Sequence, residues 1–493
     1  MKKQIFNPFL PLDEYVPDGE AHVFGDRVYL YGSHDAEGGE RFCMGDYVVY
    51  GAPIDDLSDW RKEGVSYKKE QDPRSQNGKL VDYYAPDCVR GEDGRFYLYY
   101  VAMGPAVTPF GPISVAVSSH PEGPFAYYGD VHYPDGHPVL KYGNNDPAVL
   151  NDEGRIHLYY GWGFTRDFRN PFLRPLYDRI LAKLYARSLS EIRSTKPSIT
   201  ACAHLELEKD MLTAKGEPVA VLPSKTTAPK GSLFYAHPFY EAPSIRKFGD
   251  RYYLVYSSGV DNALVYAVSS EPDRGFEFGG VLISSSGLGY QGNREAKYPA
   301  GTIHGCVEAI GNNYYVFYHR CTHNTDFSRQ ACAERIHRND DGSFEEVRPT
   351  TQGLNPSPLL VEGSYPAEIC CELYSPKRMR LGNGHQEDSP NIVCRHNERF
   401  IHAIGDQTWI GYRDFAWNKP NALVLRLRGS EGDVEVHSAQ GMVVGSAHFS
   451  DSRAWENCRV SLTPSEGNHP LFLHFRSRGK IDLISFSFEE GSR

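Results

Sequence analysis

The sequence predicts an all-β protein, a five-bladed β-propeller followed by a β-sandwich of jelly-roll type. Three observations predict it. A hairpin pattern recurs five times in roughly the first 350 residues: a polar residue, a short strand, a turn rich in Gly, Asp or Asn, and an aromatic-aliphatic strand. A second phrase repeats as Val115-Ala116-Val117-Ser118-Ser119 after the second hairpin and Tyr266-Ala267-Val268-Ser269-Ser270 after the fourth, each running into a Pro/Gly turn. Beyond about Ala367, short alternating strands resume, for instance at 422–427 and 470–475. A repeat made of several strands cannot bury its face alone, and stacking five of them around an axis gives a propeller.

Asp18 opens the first hairpin, and the first blade is expected to end at Asp59-Trp60. Residues 61–81, rich in Lys, Gln, Asp and Gly, read as a polar loop. Asp87 opens the second blade, which runs to about Pro134, and Asp146 opens the third. The third carries an insertion in which residues 176–192 have apolar residues at helical spacing, followed by a return strand at 203–208. Glu241 opens the fourth blade, which ends near Ser284. A Gly-rich loop, 285–301, leads to His304, which opens the fifth. Residues 1–350 are thus assigned to the propeller, 351–366 to a Pro/Gly linker and 367–493 to the sandwich. The innermost strand of each blade starts near the axis. Asp18, Asp146, Glu241 and His304 therefore converge at one mouth of the channel although they are far apart in the chain.

Composition excludes several function classes. The net charge of −11 argues against nucleic acid and anionic membrane as partners. No stretch approaches the roughly 20 apolar residues of a membrane span. The 10 cysteines have no metal-like spacing, and with no secretory signal they read as reduced thiols of a cytoplasmic protein.

Two carboxylates facing each other across a pocket are the minimal equipment for splitting a glycosidic bond. One must hold a proton for the leaving oxygen; the other must be ionised to activate water or attack directly. A third nearby raises the acid's pKa by like-charge repulsion. Asp18, Asp146 and Glu241 supply the trio, and the longer Glu suits the acid.

The motifs Val16-Pro17-Asp18, Tyr84-Ala85-Pro86-Asp87, Asn145-Asp146-Pro147, Glu241-Ala242-Pro243-Ser244 and Ile303-His304-Gly305, each with its aromatic strand, resemble glycoside hydrolase family 43 over residues 1–350. The resemblance implies an inverting mechanism with Asp18 as general base, Glu241 as general acid and Asp146 as the residue that tunes and orients the acid. It also implies a metal, often calcium, beside His304 in the channel. Gly19 stands where the family usually has Pro. Residues 404–412, 432–436 and 481–488 make the sandwich similar to a family 6 carbohydrate-binding module.

Asp87, Trp162, Arg329, His34 and Asp35 are expected to bind or border the substrate. Arg329 can clamp a hydroxyl or a carboxylate, and an aromatic face such as Trp162 stacks on sugar C–H bonds. Trp409, Tyr412 and Trp417 read as sandwich core or domain interface before sugar platform. The expected activity is exo-hydrolysis of pentose-containing oligosaccharides, as α-L-arabinofuranosidase, β-D-xylosidase or both, in xylan degradation. A galactofuranosidase or galactosidase, a phosphorolytic enzyme and a non-catalytic sugar-binding propeller stay open as alternatives.

Overall fold

Gly25 and Gly249 stand at hairpin tips with φ of +68° each, a conformation glycine adopts without the Cβ penalty. They join strand Glu20–Phe24 to Arg27–Tyr31 and strand Glu241–Phe248 to Arg251–Ser257. The tight tips fix the register, Val23 opposite Val28 and Ile245 opposite Leu254, so that the aromatic-aliphatic second strand is buried in each case. In the computed structural model, which describes residues 4–104, 110–167, 170–184, 188–194, 200–323, 325–376, 389–439 and 441–489, the unit recurs around an axis.

Four antiparallel sheets have four strands each and a fifth has three. Their first strands are Glu20–Phe24, Asp82–Arg90, Ala148–Asp152, Glu241–Phe248 and Val307–Ile310. The first strands of blades I and II, II and III, and III and IV pack on one another around the axis, and the first strand of blade I meets that of blade V. Aromatics fill the space between blades: Tyr83 stacks on Tyr47 and Tyr67 with centroids 4.9 and 5.0 Å apart, each contact worth about 0.5–1.5 kcal/mol beyond its buried area. The N-terminal segment closes the ring by bonding blade V. Phe9 N–H donates to the Ala331 carbonyl at 3.1 Å, and Phe9 packs edge-on against Phe317.

Three sequence expectations are refined. Arg61–Tyr67 is the outer strand of blade I and not part of a loop. Its first three residues are exposed, because an edge strand meets solvent and carries polar residues there. The insertion in blade III folds as two short helices, Arg174–Leu184 and Leu189–Ser194, before the strand Ala201–Leu207. Within 351–366, Leu359–Leu360 and Ser364–Pro366 pair with sandwich strands, since Leu359 and Tyr365 bury their side chains in that core.

The sandwich consists of two six-stranded sheets over a core that includes Tyr412, Phe415, Trp417 and Phe486. It is joined to blade V through Arg320. This buried guanidinium donates to the carbonyls of Cys370 and Cys371 at 3.2–3.3 Å and lies 3.6 Å from the Tyr298 ring centroid. Arg320→Met strands both carbonyls without a donor. The expected cost is on the order of 3 kcal/mol, read as a lower melting temperature. An unchanged melting temperature would show that this contact does not couple the two domains.

Candidate active site

The inner strands deliver three carboxylates to one place, each at or beside a strained backbone. Asp18 and Asp146 have φ of +58° and +47°, and Ala242, next to Glu241, has +62°. Such conformations persist in non-glycine residues only when the surroundings over-determine them. Behind Ala242 the register slips between Glu241 and Ser244, a bulge that aims the Glu241 side chain.

Asp18 is buried and fully partnered. Arg329 Nη1 donates to its two oxygens at 2.8 and 3.0 Å. Its backbone N–H donates to His319 Nδ1 at 3.1 Å, and His304 Nδ1 lies 3.8 Å from Oδ1. Burial opposes ionisation, but Arg329, followed by His319 and His304, holds this carboxyl well below the usual range. Glu241 is the opposite case. Desolvation first, then the charge of Asp146, pushes it well above the usual carboxylate range, with no cation in direct contact among the described residues. Asp146 is itself pushed up, first by burial, and its Oδ2 accepts the Ala242 N–H at 3.1 Å. One carboxylate is thus held ionised while another in the same electrostatic field keeps its proton.

Arg329 is fixed from behind. Asp35 accepts from Nε at 2.8 Å and from Nη2 at 3.0 Å, and also takes the Cys43 N–H at 2.9 Å. The Phe42 ring lies 4.6 Å from the guanidinium carbon. Arg329 thus holds a carboxylate, one of the two roles expected of it, while Asp35, expected to border the substrate, fixes Arg329 and through it Asp18. Trp162 is partly exposed among Phe164, Phe110 and Tyr240, with centroids at 4.4, 5.6 and 6.3 Å. Tyr240 adjoins Glu241, so Trp162 stands on the Glu241 side of the mouth.

Two expected substrate contacts are corrected. Asp87 is 0 % exposed. Its Oδ1 meets His22 Nε2 at 2.6 Å and its Oδ2 accepts the Val149 N–H at 2.7 Å, which ties blade II to blades I and III. Both ring nitrogens of His34 are engaged within blade I and its approach: Nδ1 donates to the Asp46 carbonyl at 2.7 Å and Nε2 faces Glu14 at 3.4 Å.

His304 sits between carboxylates, Nε2 3.7 Å from Glu20 Oε1, and the surrounding negative charge pushes it up to about 9 despite burial. Calcium asks for six to eight oxygen ligands. Near His304 the buried oxygen left without a hydrogen-bond partner is Glu20 Oε1. The positive charge of the channel is supplied by the chain itself: Arg246 donates to Glu20 Oε2 at 3.0 Å, to Glu308 at 2.7 Å and to the Ala21 carbonyl at 2.7 Å. The same guanidinium stands 3.4 Å from His22 Nε2, beside the Glu20, His22 and Asp87 cluster. The described residues do not fit calcium. Sequence reasoning missed Arg246. The fourth hairpin places it five residues after Glu241, and nothing in its tripeptide context marks it.

Comparison with known proteins follows the same lines. The model of "Glycosyl hydrolases family 43" matches residues 5–344. A xylosidase/arabinosidase of Thermoclostridium stercorarium is 37% identical over 99% of both chains. Xylosidase/arabinosidase 43A of Humicola insolens is 29% identical over 68% of this chain and 97% of its own. Among solved structures, a β-xylosidase/α-arabinofuranosidase from a compost metagenome, in complex with xylotriose, is 25% identical with a TM-score of 0.52, covering 69% of this chain and 96% of that one.

The geometry around Arg329 makes a testable demand. Arg329→Met leaves Asp18 and Asp35 buried without their cation, which is expected to cost about 3–5 kcal/mol in denaturant unfolding. A variant as stable as the parent would mean that the two carboxyls do not depend on this guanidinium.

Proposed function

The chain belongs to glycoside hydrolase family 43, and from that premise we propose that it is an exo-acting, inverting pentosidase, cleaving β-D-xylosides and α-L-arabinofuranosides at the ends of oligosaccharides. The observation that carries the reading is the opposed electrostatics of Asp18 and Glu241. Two titratable groups pushed apart by their surroundings divide into a base and an acid. The relative that is 37% identical over 99% of both chains, a xylosidase/arabinosidase, supports the choice of sugar.

In this mechanism Asp18, ionised beside Arg329, accepts a proton from water as the water oxygen bonds the anomeric carbon. Glu241 gives its proton to the glycosidic oxygen as the bond from that oxygen to the anomeric carbon breaks. The sugar leaves with inverted configuration. Solvent then returns a proton to Glu241 and takes one from Asp18. Asp146 keeps Glu241 protonated through its charge and holds the backbone at Ala242. Trp162 offers a face to the sugar. No step is assigned to calcium. All ten cysteines are free and nine are buried, which supports a cytoplasmic enzyme acting on imported oligosaccharides.

A panel of nitrophenyl glycosides with proton NMR of the first-formed anomer tests the sugar and the stereochemistry together. Pentosides turned over with inversion are expected. Retention, or a preference for hexofuranosides, would refute the reading. Glu241→Gln is expected to lower kcat about 10²–10⁴-fold on substrates with poor leaving groups. Asp146→Asn removes the negative charge that helps hold the Glu241 proton, so the alkaline limb of the kcat/KM profile moves to lower pH. A limb that stays in place would remove Asp146 from this role.

A further inference from the structure

A cleft of about 770 Å³, separate from the carboxylates of the channel, opens where the sandwich meets the loops after blades IV and V. Lys297 and Arg348 line it from the propeller side, and Trp409, Glu435, His437 and His474 from the sandwich. Glu435 and His437 are two apart on the strand Gly432–Ala439 and so share a face. His474, on the neighbouring strand Glu466–Ser477, is directly opposite Glu435 in the register. Three ligand-bearing side chains thus meet by strand geometry alone.

Hydrogen bonding accounts for His474 but not for His437. His437 is 5 % exposed, and neither of its ring nitrogens has a hydrogen-bond partner. Its Nε2 lies 3.5 Å from Glu435 Oε2. His474 Nδ1 lies 3.3 Å from that same oxygen. Gln407 Oε1 stands 3.1 Å from His474 Nε2, so the ring of His474 is held between Glu435 and Gln407. Ligands at about 2.0–2.1 Å from a tetrahedral zinc-type ion stand about 3.3–3.4 Å from one another. The separations of 3.5 and 3.3 Å are within about 0.2 Å of that edge, and the three ligand atoms all lie within 4.8 Å of one another.

We propose that Glu435, His437 and His474 form a site for a divalent transition-metal ion of the zinc class, with a fourth position open to the cleft. Two imidazoles and one carboxylate suit zinc, cobalt or nickel and not calcium. The outer partners are in place: Gln407 orients His474, Arg476 Nη2 approaches the second oxygen of Glu435 at 3.3 Å, and Trp409 stacks on His474 at 4.3 Å. Water, or an oxygen of a ligand in the cleft, completes the tetrahedron.

The test uses the full chain, stripped with a chelator and then titrated with Zn²⁺ by calorimetry and with Co²⁺ by visible absorption. One equivalent of tightly bound Zn²⁺ and the intense absorption of tetrahedral Co²⁺ are expected, with no competition from Ca²⁺. His437→Ala and His474→Ala should each weaken Zn²⁺ binding by more than about 100-fold, and Gln407→Ala by about 10-fold, the size of effect outer partners have. Pentoside hydrolysis reports whether each variant is folded, and His437→Gln stands in where the alanine variant is not. Absence of one-equivalent binding, or binding that the histidine substitutions leave unchanged, would overturn the proposal and leave a plain ion pair.

Discussion

The structure depends on how positive charge is shared among buried carboxylates at the propeller axis. Asp18, Glu20, Asp35, Asp87 and Asp146 are all less than a tenth exposed. A buried carboxylate must find a cation, find backbone N–H groups, or keep its proton. Arg329 serves Asp18 and Asp35, Arg246 serves Glu20 and Glu308, and His22 meets Asp87. Asp146 accepts the Ala242 N–H, and Glu241, beside Asp146, has no cation in direct contact among the described residues. In the proposed mechanism the uneven supply of cations is what separates the base, Asp18, from the acid, Glu241. Equal pairing would have left all three carboxyls ionised and none able to give a proton.

The propeller is the means of arranging this sharing without long side chains. Asp87 accepts the N–H of Val149, and Asp146 accepts the N–H of Ala242, so a carboxylate at the inner end of one blade holds the first strand of the next. Arg246 of blade IV reaches Glu20 of blade I and Glu308 of blade V. The groups that set the electrostatics are therefore also the groups that align the blades, and the strained backbone at Asp18, Asp146 and Ala242 is held by both duties.

This double use explains what the sequence made legible. The hairpin period located the inner strand starts, because a repeat writes the same turn and the same aromatic strand each time. It brought Asp18, Asp146, Glu241 and His304 to one mouth. It had no means of telling a carboxylate that faces a pocket from one that clamps a neighbour, and Asp87 proved to be the second kind. Arg246 and the Asp35–Arg329 pairing depend on contacts between residues 226 and 294 positions apart, and a local pattern carries no record of such contacts. The edge strand Arg61–Tyr67 was hidden for the reverse reason, since its outer residues face solvent and read as loop.

The sandwich belongs to the same frame. Glu37, two residues after Asp35, is held by Arg399 of the sandwich in a bidentate pair at 3.0 and 2.9 Å, and by Tyr15 Oη at 2.9 Å. Arg320, in the same sheet as Arg329, is anchored to the carbonyls that open the sandwich. Both supports of Asp18, the loop that carries Asp35 and the strand that carries Arg329, are thus braced from outside the propeller. A guanidinium shared between two carboxylates at 2.8–3.0 Å needs that rigidity, because its effect on Asp18 falls with distance. The C-terminal domain therefore bears on Asp18 through the position of Arg329, whether or not it ever touches a sugar.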